Sequence, residues 1–423
     1  MADELDLVSF QAEAREWLRG HAKPIEGGEG DEDLHWGRGD DSVTVFHNLT
    51  LDEERTLHEE ASAWQRAKFD AGFGAISWDE RYGGRGLPVA YERWFRAEEG
   101  RFGTPLTHEL FSVTTGLIAP TIAVYGTEEQ KDRFVRPFLR TDEYCSQLFS
   151  EPGAGSDLAA LGCRAERDGD EWVLNGQKVW NSGTVFAQWG EIICRSDVTV
   201  PKHKGQTAFL VPLDAPGVEV RPIRQMTGGA SFNEVFLSDV RIPDTLRLGG
   251  VGDGWKVALT TLGFERGASS GGGRGVGGSF RRVLALAQHL GMTDDPVVRQ
   301  HLTRLFIQNR LLQMNSRRAQ AASRAGQPPG PEGSIGKLLW TQHLTATSDV
   351  VSHLLGPRLL ADTGEWGTYA WGEHVLGAPG YRIAGGSDEV QRNIIGERVL
   401  GLPREPQSDK NLPWSEAVRA GRA

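Results

Sequence analysis

The chain has few cysteines, no long apolar run and a deficit of positive charge. Its three cysteines, Cys145, Cys163 and Cys194, show neither a metal-ligand spacing nor an even disulfide set. We therefore expect three small buried side chains in a reducing compartment. No stretch approaches the roughly 20 apolar residues that span a bilayer. The net charge of -11 argues against a nucleic-acid binder, whose surface is basic.

The N-terminus lacks the features of a secretory signal. The segment MADELDLVSF carries acidic residues where a signal peptide has a basic region and then an apolar run. Hydrophobic residues make up 39% and charged residues 24% of the chain, a composition typical of soluble globular proteins. A chain of 423 residues exceeds one ordinary core, so we expect several packed units. The sequence thus predicts a cytoplasmic protein with more than one domain.

The hydrophobic pattern changes its period twice along the chain. Steps of three and four residues, as at Phe10, Ala14 and Trp17, predict helices up to about residue 140. Helical spacing returns after Gly254, and Val298, Leu302, Leu305 and Leu312 form one apolar stripe. Between these regions lie short β-like runs that predict a small barrel or sandwich, at 207–213, 217–223 and 231–242.

Turn residues predict the breaks between these elements. Asn175-Gly176 is typical of a tight hairpin between two short strands, because both residues tolerate positive φ. Surface loops are expected at 26–41 and 82–87, which are rich in glycine and polar residues. The segment GQPPGPEG (326–333) cannot continue a helix and should separate two of them.

The most specific patterns are two long segments and two weaker ones. The long segments are LFSEPGAGSDLAALGCRAERDGDEWVLNGQKVWNSG (148–183) and RIAGGSDEVQRNIIGERVLGLP (382–403). The weaker ones are GAISWDERYGGRGL (74–87) and the region 232–267. In sequence and order they resemble the signatures of the acyl-CoA dehydrogenase family. The resemblance extends over nearly the whole chain.

The resemblance implies a fold and a reaction. The fold has an N-terminal helical domain (1–142), a middle β domain (143–246), a C-terminal four-helix bundle (247–406) that builds a tetramer, and a tail (407–423). The reaction is the FAD-dependent α,β-dehydrogenation of an acyl-CoA thioester to the trans-2-enoyl-CoA, with electrons passed to an electron-transfer flavoprotein. A base removes the α-proton, and flavin N5 accepts the β-hydrogen as hydride.

The first signature supplies candidate contacts to the cofactor and the substrate. By resemblance, Phe149 and Ser150 contact the flavin, and Ser156 contacts a phosphate or the CoA. Taken alone, the SEPGAGSD segment is more typical of a structural turn than of a binding loop. By the same resemblance, Trp180 is expected to pack against the isoalloxazine ring and Ser182 to place a hydroxyl near flavin N5. Without it, an aromatic residue at the end of a strand is ordinarily part of a core.

The C-terminal signature supplies the remaining candidates. Gly385 and Gly386 are assigned to substrate binding, as is Arg266 on the helix after the middle domain. Ser387 and Glu389 are included among the flavin contacts. Positions 388 and 389 lie where the family approaches the adenosine end of the flavin or starts a helix, so a structural role for both carboxylates stays open.

Glu265 is the predicted catalytic base. The family has two locations for this carboxylate, and this chain fills one of them with Gly385, which has no side chain. The other location lies immediately before an arginine, as in Glu265-Arg266. A carboxylate in an apolar pocket gains proton affinity, which suits a base. Without the resemblance, Glu265 would be interpreted as a solvated helix carboxylate paired with a neighbour.

The glycine-rich segment GGGRGVGG (271–278) has two interpretations. Each glycine disfavours a helix by roughly 1 kcal/mol relative to alanine, which is typical of a frayed helix or a loop. Alternatively, the missing side chains widen the acyl pocket for a polycyclic or branched group.

The chain departs from the family at the flavin diphosphate. An arginine and a glycine turn contributed by a neighbouring subunit are replaced by HLGMTDD (289–295) and HLLGP (353–357). Two explanations stay open. In a homo-oligomer, other residues such as Arg299 or His353 bind the diphosphate. In a heteromer, a second, related chain supplies the contact, as in some acyl-CoA dehydrogenases that act on steroid side chains. An acyl-CoA oxidase and a non-catalytic assembly subunit are the alternative functions.

Overall fold

The computed structural model describes residues 6–25, 43, 45–46, 48–269, 279–324, 330–360, 368–406 and 409–420. The order helical, β, helical is confirmed. The predicted loop at 26–41 and the glycine-rich segment 271–278 lie outside the described residues, so the two interpretations of the latter stay open. The predicted domain boundaries after residues 142, 246 and 406 also stay predictions.

The N-terminal region is helical in its described part. Its helices are α1 (Leu7–His21), α2 (Leu51–Asp70), α3 (Val89–Glu99), α4 (Glu109–Ser112), α5 (Ala119–Tyr125) and α6 (Glu128–Arg140). A π-helical turn, Val113–Ile118, joins α4 to α5. Thr50 and Thr127 start α2 and α6 with reciprocal capping boxes. Phe10 and Ala14 are fully buried, as the periodicity predicts.

The middle region is one eight-stranded sheet. Its strands are β1 (Cys145–Leu148), β2 (Arg164–Asp168), β3 (Glu171–Ser182), β4 (Trp189–Arg195), β5 (Gln206–Pro212), β6 (Val218–Ile223), β7 (Phe232–Pro243) and β8 (Arg247–Leu248). The order is β6-β7-β3-β2-β4-β5-β8, and β1 pairs with β4. The three predicted β-like runs are confirmed as β5, β6 and β7.

The predicted hairpin at Asn175-Gly176 is wrong, because β3 continues through both residues. The turn between β2 and β3 lies instead at 169–170. The register of β3 against β7 shifts at Gly176, and a Cβ on this glycine would lie 2.8 Å from the Cα of Cys163. Gly176 therefore permits close packing within a bulged strand.

The C-terminal region is again helical. Its described helices are α7 (Gly254–Ser269), α8 (Phe280–His289), α9 (Pro296–Arg324), α10 (Gly333–Leu355), α11 (Thr368–Tyr381), α12 (Asp388–Ile394) and α13 (Trp414–Ala420). Val298, Leu302 and Leu305 on α9 are buried, as the predicted stripe requires, whereas Leu312, its fourth member, is only half-buried. They pack with apolar residues of α8 and α10 in one core cluster.

All three cysteines are free and buried, as the sequence predicts. The nearest pair, Cys163 and Cys194, has an Sγ–Sγ distance of 3.7 Å, which is a contact and not a bond. None of the described helices combines the length and the apolar composition that a bilayer crossing requires.

Candidate active site

Helix α7 carries Glu265 and is locked in place by a buried hydrogen-bond network. Thr261, one turn before Glu265, donates to Glu191 Oε1 of β4 over 2.9 Å. Its Oγ1 also lies 3.0 Å from Thr121 Oγ1 of α5. Burial raises the pKa of Glu191 to about 8, which favours the neutral form of this carboxyl at pH 7. The network joins the helix of Glu265 to the N-terminal helices and to the sheet.

The carboxylate of Glu265 faces the turn that contains Gly385. A Cβ built on Gly385 would lie 3.1 Å from Glu265 Oε1. The carboxylate therefore lies beside the point at which any side chain of residue 385 would begin. Glu265 and Gly385 are 120 residues apart in the sequence, which connects them only through the resemblance. In the folded chain they lie side by side.

The turn at Gly385-Gly386 is held by hydrogen bonds from neighbouring side chains. Both glycines have left-handed φ, +66° and +89°, which other residues adopt at a cost. Gln391 Nε2 donates to the carbonyl oxygens of Gly385 and Gly386 over 3.0 and 3.2 Å. Ser387 accepts a hydrogen bond from the Val390 N–H and so caps α12. The carbonyl groups of the turn are thus occupied by protein donors.

Trp180 projects from β3 into solvent. Its side chain is 60% exposed, and its φ is +64° where the register of β3 against β7 shifts. A left-handed non-glycine residue costs roughly 1–2 kcal/mol, and such strain is concentrated at functional sites. The exposure excludes the alternative that Trp180 is a core residue.

Ser182, two residues further along β3, donates a hydrogen bond to Glu109 Oε2 over 3.0 Å. Glu109 is the first residue of α4 and is exposed. Desolvation by the surrounding protein raises the pKa of the Glu109 carboxyl, and the hydrogen bond from Ser182 opposes that shift. No cation of the described residues lies within salt-bridge distance of Glu109. A second carboxylate therefore lies next to the predicted flavin contact.

Tyr381, the last residue of α11, connects the two carboxylates electrostatically. Burial raises the pKa of its phenol, and the negative charges of Glu109 and Glu265 raise it further. Its ring stacks on Phe46 with a centroid distance of 4.7 Å. Phe46 in turn contacts Phe232 edge-on, at 5.3 Å. These aromatic contacts connect the sheet to the C-terminal helices, and we call the surface around them the candidate cleft.

The ring chain continues to Trp180. Phe232 and Trp180 have a centroid distance of 6.3 Å in an edge-to-face arrangement. The structure therefore places Trp180, Tyr381 and the carboxylates of Glu109 and Glu265 around one cleft.

The loop after β1 is positioned by a buried lysine. Lys178 Nζ donates to the Phe149 and Ile193 carbonyl oxygens over 3.1 and 2.8 Å and to Glu151 Oε1 over 2.8 Å. The Phe149 side chain is itself buried. The Ser150 carbonyl accepts from the Val179 N–H, which ties the loop to the strand of Trp180.

The other predicted site residues lie apart from this group. Ser156 is exposed at the far end of the loop and has no hydrogen bond to a described residue. Glu389 is exposed and lies 3.5 Å from Arg392. Asp388 is buried and accepts hydrogen bonds from Thr341 and Arg382, each at 2.8 Å, which fits a structural role. The side chain of Arg266 lies outside the described residues.

Sequence reasoning missed Glu109, Tyr381 and Phe46. Each is a single residue outside any motif, and its partners come from other regions of the chain. For Glu109, the sequence offers only the start of a helix after the capping residue His108. Such a pattern predicts secondary structure and says nothing about a function of the side chain.

The order of a helical, a β and a second helical region agrees with a family of three-domain dehydrogenases. Family models for acyl-CoA dehydrogenases match the chain in order: the N-terminal domain at 45–142, the middle domain at 146–240 and the C-terminal domain at 252–400. The chain belongs to the acyl-CoA dehydrogenase family.

Individual proteins show the same relationship. Acyl-CoA dehydrogenase IpdE1 of Mycobacterium tuberculosis is 40% identical over 354 residues, which are 83% of this chain and 90% of the relative. The solved Tcur3481-Tcur3483 steroid ACAD has a TM-score of 0.72 and 27% identity, over 94% of this chain and 98% of that chain. A chain of the ChsE4-ChsE5 complex from Mycobacterium tuberculosis has a TM-score of 0.65 and 26% identity, over 85% and 100% of the two chains.

Proposed function

We propose that the chain catalyses the α,β-dehydrogenation of an acyl-CoA thioester to the trans-2-enoyl-CoA, with Glu265 as the base that removes the α-proton. The observation that carries this assignment is the 3.1 Å separation between Glu265 Oε1 and the Cβ position of Gly385. The Glu265 carboxylate therefore lies where a side chain of residue 385 could otherwise act as the base. Dehydrogenation of acyl-CoA is what the family does, and the residue roles are our proposal.

The turn opposite Glu265 offers donors for the thioester carbonyl. The carbonyl groups of Gly385 and Gly386 bind Gln391, and no hydrogen bond of the described residues uses the N–H of either glycine. Successive free N–H groups at a left-handed turn form an anion-binding concavity. We propose that such an N–H stabilises the negative charge that develops on the carbonyl oxygen as Glu265 takes the proton.

The cleft also fits a flavin, for which FAD is the family norm. An isoalloxazine ring needs an apolar surface and polar groups at its edge, and the exposed Trp180 and the hydroxyl of Ser182 supply them side by side. A bound flavin supplies the acceptor for the β-hydrogen. The proposed cofactor contacts also include Phe149, Ser150, Ser156, Ser387 and Glu389. The proposed substrate contacts are Ser156, Arg266, Gly385 and Gly386.

A partner chain is part of the proposal. Four apolar side chains, each roughly half exposed, lie on α9: Phe306, Ile307, Leu311 and Met314. An exposed apolar face of this kind marks a protein contact. Arg299 and His353 are exposed and are the residues available to bind a flavin diphosphate in a homotetramer. The complex named ChsE4-ChsE5 favours a heterotetramer with a related chain, and an electron-transfer flavoprotein is the proposed acceptor.

The acyl group is best sought among bulky, ring-bearing thioesters. The name of the steroid ACAD that the chain resembles makes steroid-derived acyl-CoAs the first set to examine. The experiment is a visible-spectrum titration of the purified flavoprotein with acyl-CoAs of increasing bulk, without oxygen. Bleaching of the flavin by ring-bearing thioesters supports the proposal, whereas a flavin that no acyl-CoA bleaches contradicts it.

The same preparation tests assembly. The chain is purified alone and after co-expression with a related dehydrogenase chain from the same source. Flavin retained only by the co-expressed protein supports the heterotetramer, and a flavin-saturated active homotetramer contradicts it. Rapid oxidation of the reduced protein by oxygen would indicate an oxidase.

A further inference from the structure

Lys337 on α10 lies directly behind the turn that faces Glu265. Its Nζ donates to the carbonyl oxygen of Tyr381 over 2.8 Å and to that of Gly386 over 2.6 Å. One ammonium group therefore joins the end of α11 to the residues before α12. The segment that it closes contains Gly385, whose Cβ position lies 3.1 Å from Glu265 Oε1.

The surroundings of Lys337 balance the cost of its burial. The side chain is half-buried, and desolvation lowers the pKa of its ammonium group. The charges of Asp388, Glu265 and Glu389 oppose that shift, in decreasing order. Because Arg382 already pairs with Asp388, the positive charge of Lys337 is not fully neutralised by its neighbour.

We propose that Lys337 is a positioning residue for this reaction: it fixes the Gly385-Gly386 turn against Glu265 and places a positive charge beside the ionised base. The inference rests on the proposed function, since it assumes that Glu265 is the base. A lysine with three donors suits the task, because two donors hold carbonyl groups while the charge acts through space.

Charged or titratable groups around Lys337 and Glu265 must be held constant. Tyr381 on α11 and Lys337 on α10 interact electrostatically with Glu265, whereas Asp388 and Glu389 of α12 act on Lys337, and Arg382 pairs with Asp388. Only Lys337 among them contacts a carbonyl of the glycine turn. A change at this residue therefore removes one charge and two backbone contacts together, and the test must separate the two effects.

The test uses the holoenzyme and an acyl-CoA analogue whose α-proton is acidic but which cannot be oxidised. Removal of that proton is followed by the absorbance change of the bound flavin as a function of pH, which gives an apparent pKa. Lys337→Met should raise this apparent pKa by about one unit, because the ionised carboxylate loses a nearby cation. Lys337→Gln, also neutral, should give the same shift and replaces Met if that variant does not fold.

Lys337→Arg keeps the charge but presents a planar guanidinium in place of a compact ammonium. We expect an apparent pKa within about 0.3 unit of the wild type, together with about tenfold weaker binding of the analogue because the turn is displaced. Lys256 on α7 is exposed and pairs with Asp253, so Lys256→Met is the matched loss of charge away from the cleft. It should change neither quantity.

Two results are informative in opposite directions. If Lys337→Met and Lys337→Arg lower thermal stability equally and leave the apparent pKa unchanged, Lys337 is merely structural and the inference is overturned. If Glu265→Gln still removes the α-proton of the analogue, the base has been misassigned and the proposed function fails independently of Lys337.

Discussion

Two carboxylates face Tyr381, and their surroundings differ. Glu109 accepts a hydrogen bond from Ser182, and partial desolvation raises the pKa of its carboxyl. Glu265 lies beside the Cβ position of Gly385, with Lys337 behind the turn. A raised pKa alone would select Glu109 as the base. Position favours Glu265, because its carboxylate lies beside the Gly385-Gly386 turn, whose N–H groups we propose as donors to the thioester carbonyl. Proton affinity is a weaker guide to a base than the geometry around the reacting carbon.

The largest expected effect separates these carboxylates directly. Glu265→Gln should lower the rate of flavin reduction by acyl-CoA by about 10³-fold, since a positioned base contributes roughly 10²–10⁴-fold. Binding of the acyl-CoA should persist because the amide has the same shape. Single-turnover absorbance measures both quantities. A loss of less than tenfold would assign the base elsewhere.

A smaller effect is expected from Gly385→Ala. Its Cβ would lie 3.1 Å from Glu265 Oε1, on a backbone with φ of +66°, so the carboxylate must move. We expect flavin reduction to slow by about tenfold. Gly401→Ala is the matched control, because Gly401 has φ of +70° and open space around its Cβ position. Equal slowing by both variants would show that backbone strain, and not contact with Glu265, is responsible.

Ser182→Ala should have a still smaller effect on the rate, about fivefold, because a single neutral hydrogen bond is lost at the flavin edge. Its signature is spectroscopic: the absorption band of the bound flavin should shift, whereas Ser238→Ala, a change at an exposed serine of β7, should leave it in place. An unshifted band in Ser182→Ala would remove Ser182 from the flavin contacts.

Glu109→Gln should change the rate of flavin reduction least, by under threefold, and should alter stability instead. The folded state raises the pKa of this carboxyl, so the wild type loses stability as the pH rises from the unfolded value through the folded one. The melting temperature of Glu109→Gln minus that of the wild type should therefore increase with pH between the two pKa values. Below the unfolded-state pKa this difference should be constant. A difference that does not vary with pH would contradict the raised pKa.

Much of this site was accessible from the sequence, for identifiable reasons. Glu265 and Gly385 belong to segments whose pattern is specific, and Trp180 follows a recognisable strand. The Asn175-Gly176 hairpin failed because a glycine required for packing against Cys163 has the same local signature as a turn. Glu109 and Lys337 could not be predicted, because their roles come from Ser182 and Gly386, which are distant in the chain and adjacent only after folding.

The most direct test of the base is hydrogen exchange at the α-carbon. The holoenzyme is incubated in D₂O with an acyl-CoA that it binds but does not oxidise, and deuterium at the α-carbon is measured by mass spectrometry. We predict exchange by the wild type and by Glu109→Gln, and about 10³-fold slower exchange by Glu265→Gln. Exchange at the wild-type rate by Glu265→Gln, or its loss in Glu109→Gln, would contradict the assignment.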